Sequence, residues 1–378
     1  MKTEHLQTAI FSLLILLAAG CGNSNMQTSN PTPKCVPSST PSHAYVLNGS
    51  NTILSYTVNS CTGALTPTNP PSVSTNGNEF GSESLAVDPL GRFAYAANLM
   101  SNATDLATIA MFTIDSTTGA LTPTSPPTVP TGYFPQGITI DPSGRFVYTA
   151  NSDDNTVSMF TVDQTTGLLT PMNPATVATG WSPLSVTIDP SDRFAYVANQ
   201  DDGTISMYTV NSSSGVLTPT NPATIVAGSP FGVTVDPSGK FAYVPNNVIN
   251  RVLEFTIDPT TGVLAPTAQG LVDSGMETTT VAIDPASKFA YVVNRQDDSV
   301  WVYSISQDSG ALTLIGNAAT GQQPWRAAVD PSGKFLYVGN ESSDSVSIYS
   351  IKDDGTLSVA GSASTQGAAF DISVIGSK

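Results

Sequence analysis

The sequence predicts an all-β protein, a seven-bladed β-propeller with four antiparallel strands per blade. Three observations predict it. First, Tyr-x-x-Asn returns seven times, at Tyr45/Asn48, Tyr95/Asn98, Tyr148/Asn151, Tyr196/Asn199, Tyr243/Asn246, Tyr291/Asn294 and Tyr337/Asn340. Second, the strings that carry it begin at His43, Phe93, Phe146, Phe194, Phe241, Phe289 and Phe335, spaced by 50, 53, 48, 47, 48 and 46 residues. Strand-like repeats of this length correspond to one propeller blade each. Third, the 378 residues are 40% hydrophobic but only 11% charged, with 30 Gly and 28 Pro, which favours short strands and turns over long helices.

The third repeat shows the strands. FVYTAN (146–151) is apolar on both faces, as a strand between neighbouring sheets should be; it is strand B. TVSMFTVD (156–163) follows the polar turn SDDN and is strand C. TTG then breaks the chain, and LLTP opens a more polar outer strand D. LSVTID (184–189) is strand A of the next blade. An Asp-Pro turn joins A to B at 88, 141, 189, 236, 284 and 330. Its Asp can accept from nearby amides, its Pro presets φ, and the Gly of DPSG accepts a left-handed conformation. The seventh turn is missing. AFDISVIG (369–376) reads as a strand A with no B after it, and the first strand B has no A before it. The C-terminal strand is therefore expected to close the ring by pairing with the N-terminal blade. The A–B and C–D turns then share the bottom face, and the B–C and D–A loops the top.

Three segments are expected: a lipoprotein signal peptide (1–20), a lipidated tether (21–42) and the propeller (43–378). The apolar run AIFSLLILLAAG (9–20) suits a signal peptide and is short for a membrane span. LLAAGCG resembles the lipobox of bacterial lipoproteins, which implies lipid on Cys21 and a place in the bacterial cell envelope, facing periplasm or exterior. Ordinary secretion, with Cys21 discarded or free, is the alternative. Residues 22–42 are almost without apolar side chains and read as a flexible tether. Cys35 and Cys61 are an even pair in an oxidising compartment, both placed on the bottom face; a disulfide there would contribute roughly 3 kcal/mol in the loop-entropy model. Two free thiols are the alternative.

The Tyr-x-x-Asn strings, among them YVAN (196–199) and YVVN (291–294), resemble the YVTN-repeat family. The Asp-Pro-Ser-Gly-Arg/Lys-Phe context is similar to the lactonase-type seven-bladed propellers, which include 6-phosphogluconolactonases. That resemblance covers about residues 43–378. It implies the fold, and an activity only where site residues match. Lactonase-type members commonly place histidines in D–A loops, often just after the Pro that starts strand A. Here those places hold Gln136, Leu184, Phe231 and Trp325, and the two histidines, His5 and His43, lie elsewhere.

A residue present in every blade is scaffold, because an asymmetric reaction needs asymmetric groups. Function is expected in departures from the repeat on the top face. The long loops 74–84 and 99–107 are two such departures, the first bringing Glu79 and Glu83. The D–A loops add Tyr133, Phe134, Gln136, Trp181, Phe231, Glu277, Trp325 and Arg326. Aromatics ringed by a few polar groups at a channel mouth form a candidate ligand-binding surface. The net charge of −16 lacks the footprint that phosphate backbones require, so nucleic acid is set aside. No metal cluster, cofactor loop or Ser-His-Asp arrangement is visible.

The sequence therefore reads first as an exported, lipid-anchored, monomeric binding module. Its top face would take a protein, glycan or small molecule, and its lipid would hold the membrane. The alternative is a lactonase-like hydrolase with a degenerate site, using Glu83 or Glu277 as base and Arg326 for the oxyanion.

Overall fold

The computed structural model describes Cys35 and residues 41–77, 81–99 and 107–376. Over these residues the strands form seven four-stranded antiparallel sheets, with strands A to D running outward in each. Blade 1 takes its strand A from the C-terminus: Ala369–Ile375 pairs with strand B, Ser42–Asn48, in the register His43 to Ile375 through Leu47 to Asp371. The ring closure expected from the missing turn is present.

Strand B is buried along its length in five blades, Phe146–Asn151 and Phe194–Asn199 among them, and in the other two only its first residue, Ser42 or Phe289, is half-buried, as the two-sided apolar pattern predicts. The core lies between blades. In one cluster Tyr95, Ala97 and Met111 of blade 2 pack on Ile138, Val147 and Phe160 of blade 3. Strand D is exposed on alternate or successive residues and forms the outer wall, as Leu169–Ala178 shows.

The repeated string has a structural task at each position. Asp141 accepts from the backbone N–H of Arg145 (2.6 Å) and Phe146 (2.7 Å) and from the Ser143 hydroxyl, and Gly144 is left-handed at φ 69°. All seven string tyrosines donate to the carbonyl of a C–D-turn glycine in the next blade. Tyr148 reaches Gly215 (2.7 Å) and Tyr196 reaches Gly262 (2.8 Å). Tyr337 of blade 7 reaches Gly63 of blade 1 (2.9 Å), which completes the circle.

Blade 5 departs from the rest. Its string is FAYVPN, and Pro245 has no N–H to give to strand A. Strand A there shrinks to Thr234–Val235, with one further bridge between Pro230 and Asn246.

Candidate functional site at the channel mouth

Strand A lines the central channel, and its second and third residues differ from blade to blade. At the second position stand Glu83, Gln136, Leu184 and Trp325, and Phe231 holds the equivalent place before the shortened strand of blade 5. Together with Gln200 and Arg326 they line a pocket of about 290 Å³ at the mouth. Five residues singled out from sequence, Glu83, Gln136, Phe231, Trp325 and Arg326, are thus brought into one pocket. Phe231 and Trp325 meet edge to face, with ring centroids 5.5 Å apart.

Glu83 comes from blade 2 and Arg326 from blade 7, on either side of blade 1. Burial pushes the Glu83 carboxyl above its ordinary value; the Arg326 guanidinium opposes the shift and Glu341 adds to it. Arg326 is only lightly engaged. Its Nε lies 3.8 Å from an Asp371 oxygen, too far for a hydrogen bond, and has no other hydrogen-bond partner. Asp371 is buried and accepts from the Leu85 N–H (2.9 Å), the Ser84 hydroxyl (3.2 Å) and the Ile372 N–H (2.8 Å). Burial raises its pKa, with Arg326 and these donors opposing.

Glu277 stands apart from Arg326. It is paired with Arg295, Oε1 to Nη1 at 2.9 Å, and its backbone is left-handed at φ 55°. Arg295 also pairs with Glu341 at 2.9 Å and lies over the Trp325 ring at 5.0 Å. Glu277 is therefore part of a brace that fixes Arg295 against Trp325, a role the sequence did not suggest.

The remaining sequence candidates sit at the rim. Trp181 is 66% exposed and Tyr133 42%, on the D–A loops that enter blades 4 and 3. Neither lines the mouth pocket. The Tyr133 N–H donates to Asp154 (2.7 Å), and Phe134 is left-handed at φ 53° with its carbonyl accepting from Ser152 N–H (3.0 Å). Glu79 and most of the loop 99–107 lie outside the described residues, as does Cys21. Cys35 and Cys61 are each disulfide-bonded.

Asp371, Arg295, Gln200 and Glu341 were missed in the sequence. Two signals could have found them. Asp371 and Arg326 are the charged residues at a strand-A position that elsewhere holds Ser84, Gly137, Ser185, Gly232 and Thr280. Gln200, Arg295 and Glu341 each directly follow the Asn of the repeat, so that position also faces the mouth. Among the described residues no group of three or more His, Cys, Asp or Glu is placed to hold a metal ion.

The sequence matches the family described as lactonase, 7-bladed beta-propeller, over residues 33–181, 171–278 and 233–373. The chain belongs to that family. No curated protein matches it. Among solved structures, a Bacteroides uniformis protein provisionally named a 6-phosphogluconolactonase superposes with a TM-score of 0.76 at 20% identity, over 89% of this chain and 100% of that one. A periplasmic gluconolactonase of Pseudomonas aeruginosa gives 0.71 at 16% identity, over 90% and 100%. A Lactobacillus plantarum protein gives 0.74 at 20% identity, over 89% and 100%. At these identities the likeness is one of fold.

Proposed function

We propose that the protein hydrolyses a lactone at the channel mouth. One observation carries the reading: Glu83 and Arg326, from different blades, line the same pocket with the Trp325 and Phe231 rings. Family membership supports it. Glu83 takes a proton from water, the water oxygen bonds to the lactone carbonyl carbon, and Arg326 stabilises the charge on the carbonyl oxygen. The ring C–O bond then breaks, and Glu83 returns the proton to the departing oxygen. The product is a hydroxy acid. The rings of Trp325 and Phe231 supply an apolar wall for the substrate.

The experiment is turnover of a panel of γ- and δ-lactones by the whole chain. Glu83→Gln and Arg326→Met should each lower kcat/KM by about 100-fold or more. Because the base must be ionised and burial raises its pKa, wild-type activity should climb with pH from above the ordinary carboxylate range. Absence of turnover on every lactone would end the reading. Ligand capture without turnover would favour a second one, a non-catalytic binding module, which the exposed Trp181 and Tyr133 support.

Export with lipid on Cys21, and pairing of Cys35 with Cys61, are proposed alongside. Mass spectrometry of the mature N-terminus should find acylated Cys21, and Cys21→Ser should release the protein from the membrane fraction. An unacylated N-terminus other than Cys21 would rule this out.

A further inference from the structure

One sector of the top face departs from the repeat without a structural reason. At the third residue after the strand-B Asn, Asp154 and Asp297 accept the backbone N–H of Tyr133 (2.7 Å) and Met276 (2.6 Å), and Ser343 accepts that of Gln322 (3.0 Å). The side chain at this place ties the B–C loop to the D–A loop that enters the same blade. In blade 5 the place holds Ile249, preceded by Val248 where blade 4 has Asp201. The D–A loop entering blade 5 is also shorter: residues 227–229 separate strand D from Pro230, where residues 179–182 precede Pro183 in blade 4. The shorter loop accounts for the loss of the acid. It does not account for two β-branched apolar residues in solvent, Val248 at 70% exposure and Ile249 at 49%.

The two have exposed apolar neighbours on both sides. Toward blade 4, the Ala227 N–H donates to the Gly203 carbonyl (2.8 Å), and the Ala227 carbonyl accepts from Asn246 (3.0 Å), whose Oδ1 accepts from the Val248 N–H (3.2 Å). Toward blade 6, Asn250 accepts from the backbone N–H of Ser274 (3.0 Å) and of Glu277 (2.9 Å). The blade 5 loop is thus held between the chain at Val226 and the loop that carries Met276, both exposed. One blade further lies the exposed Trp181, next to Gly180, which sits against Asn199 and Asp202 of the blade 4 loop. An apolar strip therefore runs over blades 4 to 6, and none of its residues lines the mouth pocket. Continuous exposed apolar surface of this kind marks an interaction site, and Trp is among the residues that carry most binding energy at one.

Charge selects the occupant. The described top-face cations are already engaged: Arg251 pairs with Asp273 (2.9 Å), Arg295 with Glu277 and Glu341, and Arg326 faces Asp371. The described lysines all sit in A–B or C–D turns, on the bottom face. Exposed Asp201 and Asp202 flank the strip in blade 4 and exposed Asp297 in blade 6, none of them in a salt bridge among the described residues. Two such strips face to face would set acid against acid, and an anionic bilayer would meet the same repulsion. We infer that the strip is a docking surface for a cationic polypeptide segment. Apolar side chains of that segment rest on Trp181, Val248 and Ile249, and its lysines or arginines lie beside Asp201, Asp202 and Asp297. The surface is separate from the mouth pocket, so it stands or falls apart from lactone hydrolysis.

The test titrates labelled synthetic peptides with the whole chain and reads fluorescence anisotropy. An amphipathic peptide of leucine and lysine should bind. A leucine–glutamate peptide of the same pattern and a lysine–serine peptide should each bind about tenfold more weakly or worse. The deciding variant is Val248→Asp/Ile249→Asp, which gives blade 5 the acidic pair of blade 4. It adds negative charge, so simple charge attraction predicts tighter binding of the leucine–lysine peptide, whereas loss of the apolar strip predicts binding weaker by about tenfold or more. Asp201→Asn/Asp297→Asn should weaken binding by about threefold to tenfold at low salt and by less at high salt. Trp181→Ser, at an exposed position, should weaken it by about threefold or more, and it decides should the blade 5 variant fail to fold. No binding to wild type, equal binding of either control peptide, or unchanged binding in both the blade 5 variant and Trp181→Ser would each overturn the docking surface. So would a wild-type dimer that the blade 5 variant turns to monomer, which assigns the strip to a second copy. Binding to phosphatidylcholine–phosphatidylglycerol vesicles that the same variant loses would overturn it in favour of a membrane.

Discussion

His43 is the one position where the first residue of the repeated string is not Phe. It is buried, and it fills the place over Gly119 that Phe93 fills over Gly167 and Phe146 over Gly215. Burial lowers its pKa, and the Tyr56 backbone and the Asp115 charge offset this only in part. The unfolded chain therefore binds a proton at His43 more readily than the folded one. Its contribution to stability is intact above the unfolded value of 6.5 and is lost as pH falls below it. Glu254, buried between blades 5 and 6 with its carboxyl accepting from Leu312 N–H (2.9 Å) and Thr267 (3.0 Å), has the opposite sign. Burial raises its pKa, so its contribution is intact below the ordinary carboxylate value and is lost as pH rises above it. The two effects would overlap in a melting curve of the wild type alone. Comparison with His43→Phe isolates the histidine. The variant should match or exceed wild type by up to about 1 kcal/mol at pH 8, and the gap should widen steadily toward pH 5. A gap that stays constant across thermal melts from pH 8 to pH 5 would show that His43 does not titrate as described.

At the scale of the element, the repeated string accounts for how much could be read from sequence. Asp141, Gly144, Tyr148 and Asn151 recur because each does a local job that does not depend on what the blade is for. The Asp closes the bottom turn and the Tyr ties one blade to the next. The Asn at the end of strand B bonds differently from blade to blade: Asn246 reaches the Ala227 carbonyl just past strand D (3.0 Å), while Asn151 bonds the hydroxyls of Thr156 (3.1 Å) and Ser158 (2.9 Å) on strand C. It also shapes the top face, since the D–A glycines Gly132, Gly180, Gly275 and Gly321 lie against these side chains so closely that a Cβ would come within 3 Å. Seven copies made all of this visible. The site had no such redundancy. Glu83 and Arg326 could be nominated because they break the pattern of strand A, but their meeting depends on blade 1 lying between them. Glu277 broke the pattern too, and Arg295 claims it. Asp371 was hidden for another reason: it lies on the strand that belongs to blade 1 in space and to the end of the chain in sequence.

That strand also decides how the whole molecule holds together. Six blades each take their four strands from one continuous stretch of chain. Blade 1 is assembled from both ends of the chain, and its A–B ladder is the covalently unlinked seam of the ring. The seam is reinforced by the Tyr337–Gly63 bond and by a cluster in which Ala369 and Ile372 pack with Val46, Tyr56, Tyr337 and Ile348. Deleting residues 369–378 removes the ladder partner of Ser42–Asn48, exposes part of that cluster and takes Asp371 from Arg326. The cost should be several kcal/mol, about 5 or more, which is a large share of the stability of an ordinary domain. Circular dichroism should then show a melt that is much lower and less cooperative than wild type, and unchanged melting would sink the closure argument. A permutant distinguishes lost contacts from lost topology. Residues 369–376 followed by a DPSGK turn and residue 43 would make blade 1 continuous, like the other six, while every side-chain contact of the strand is kept. It should regain at least part of the melting temperature that the deletion loses. It should also open more readily than wild type in hydrogen exchange at the junction of blades 7 and 1, because the chain no longer crosses that junction.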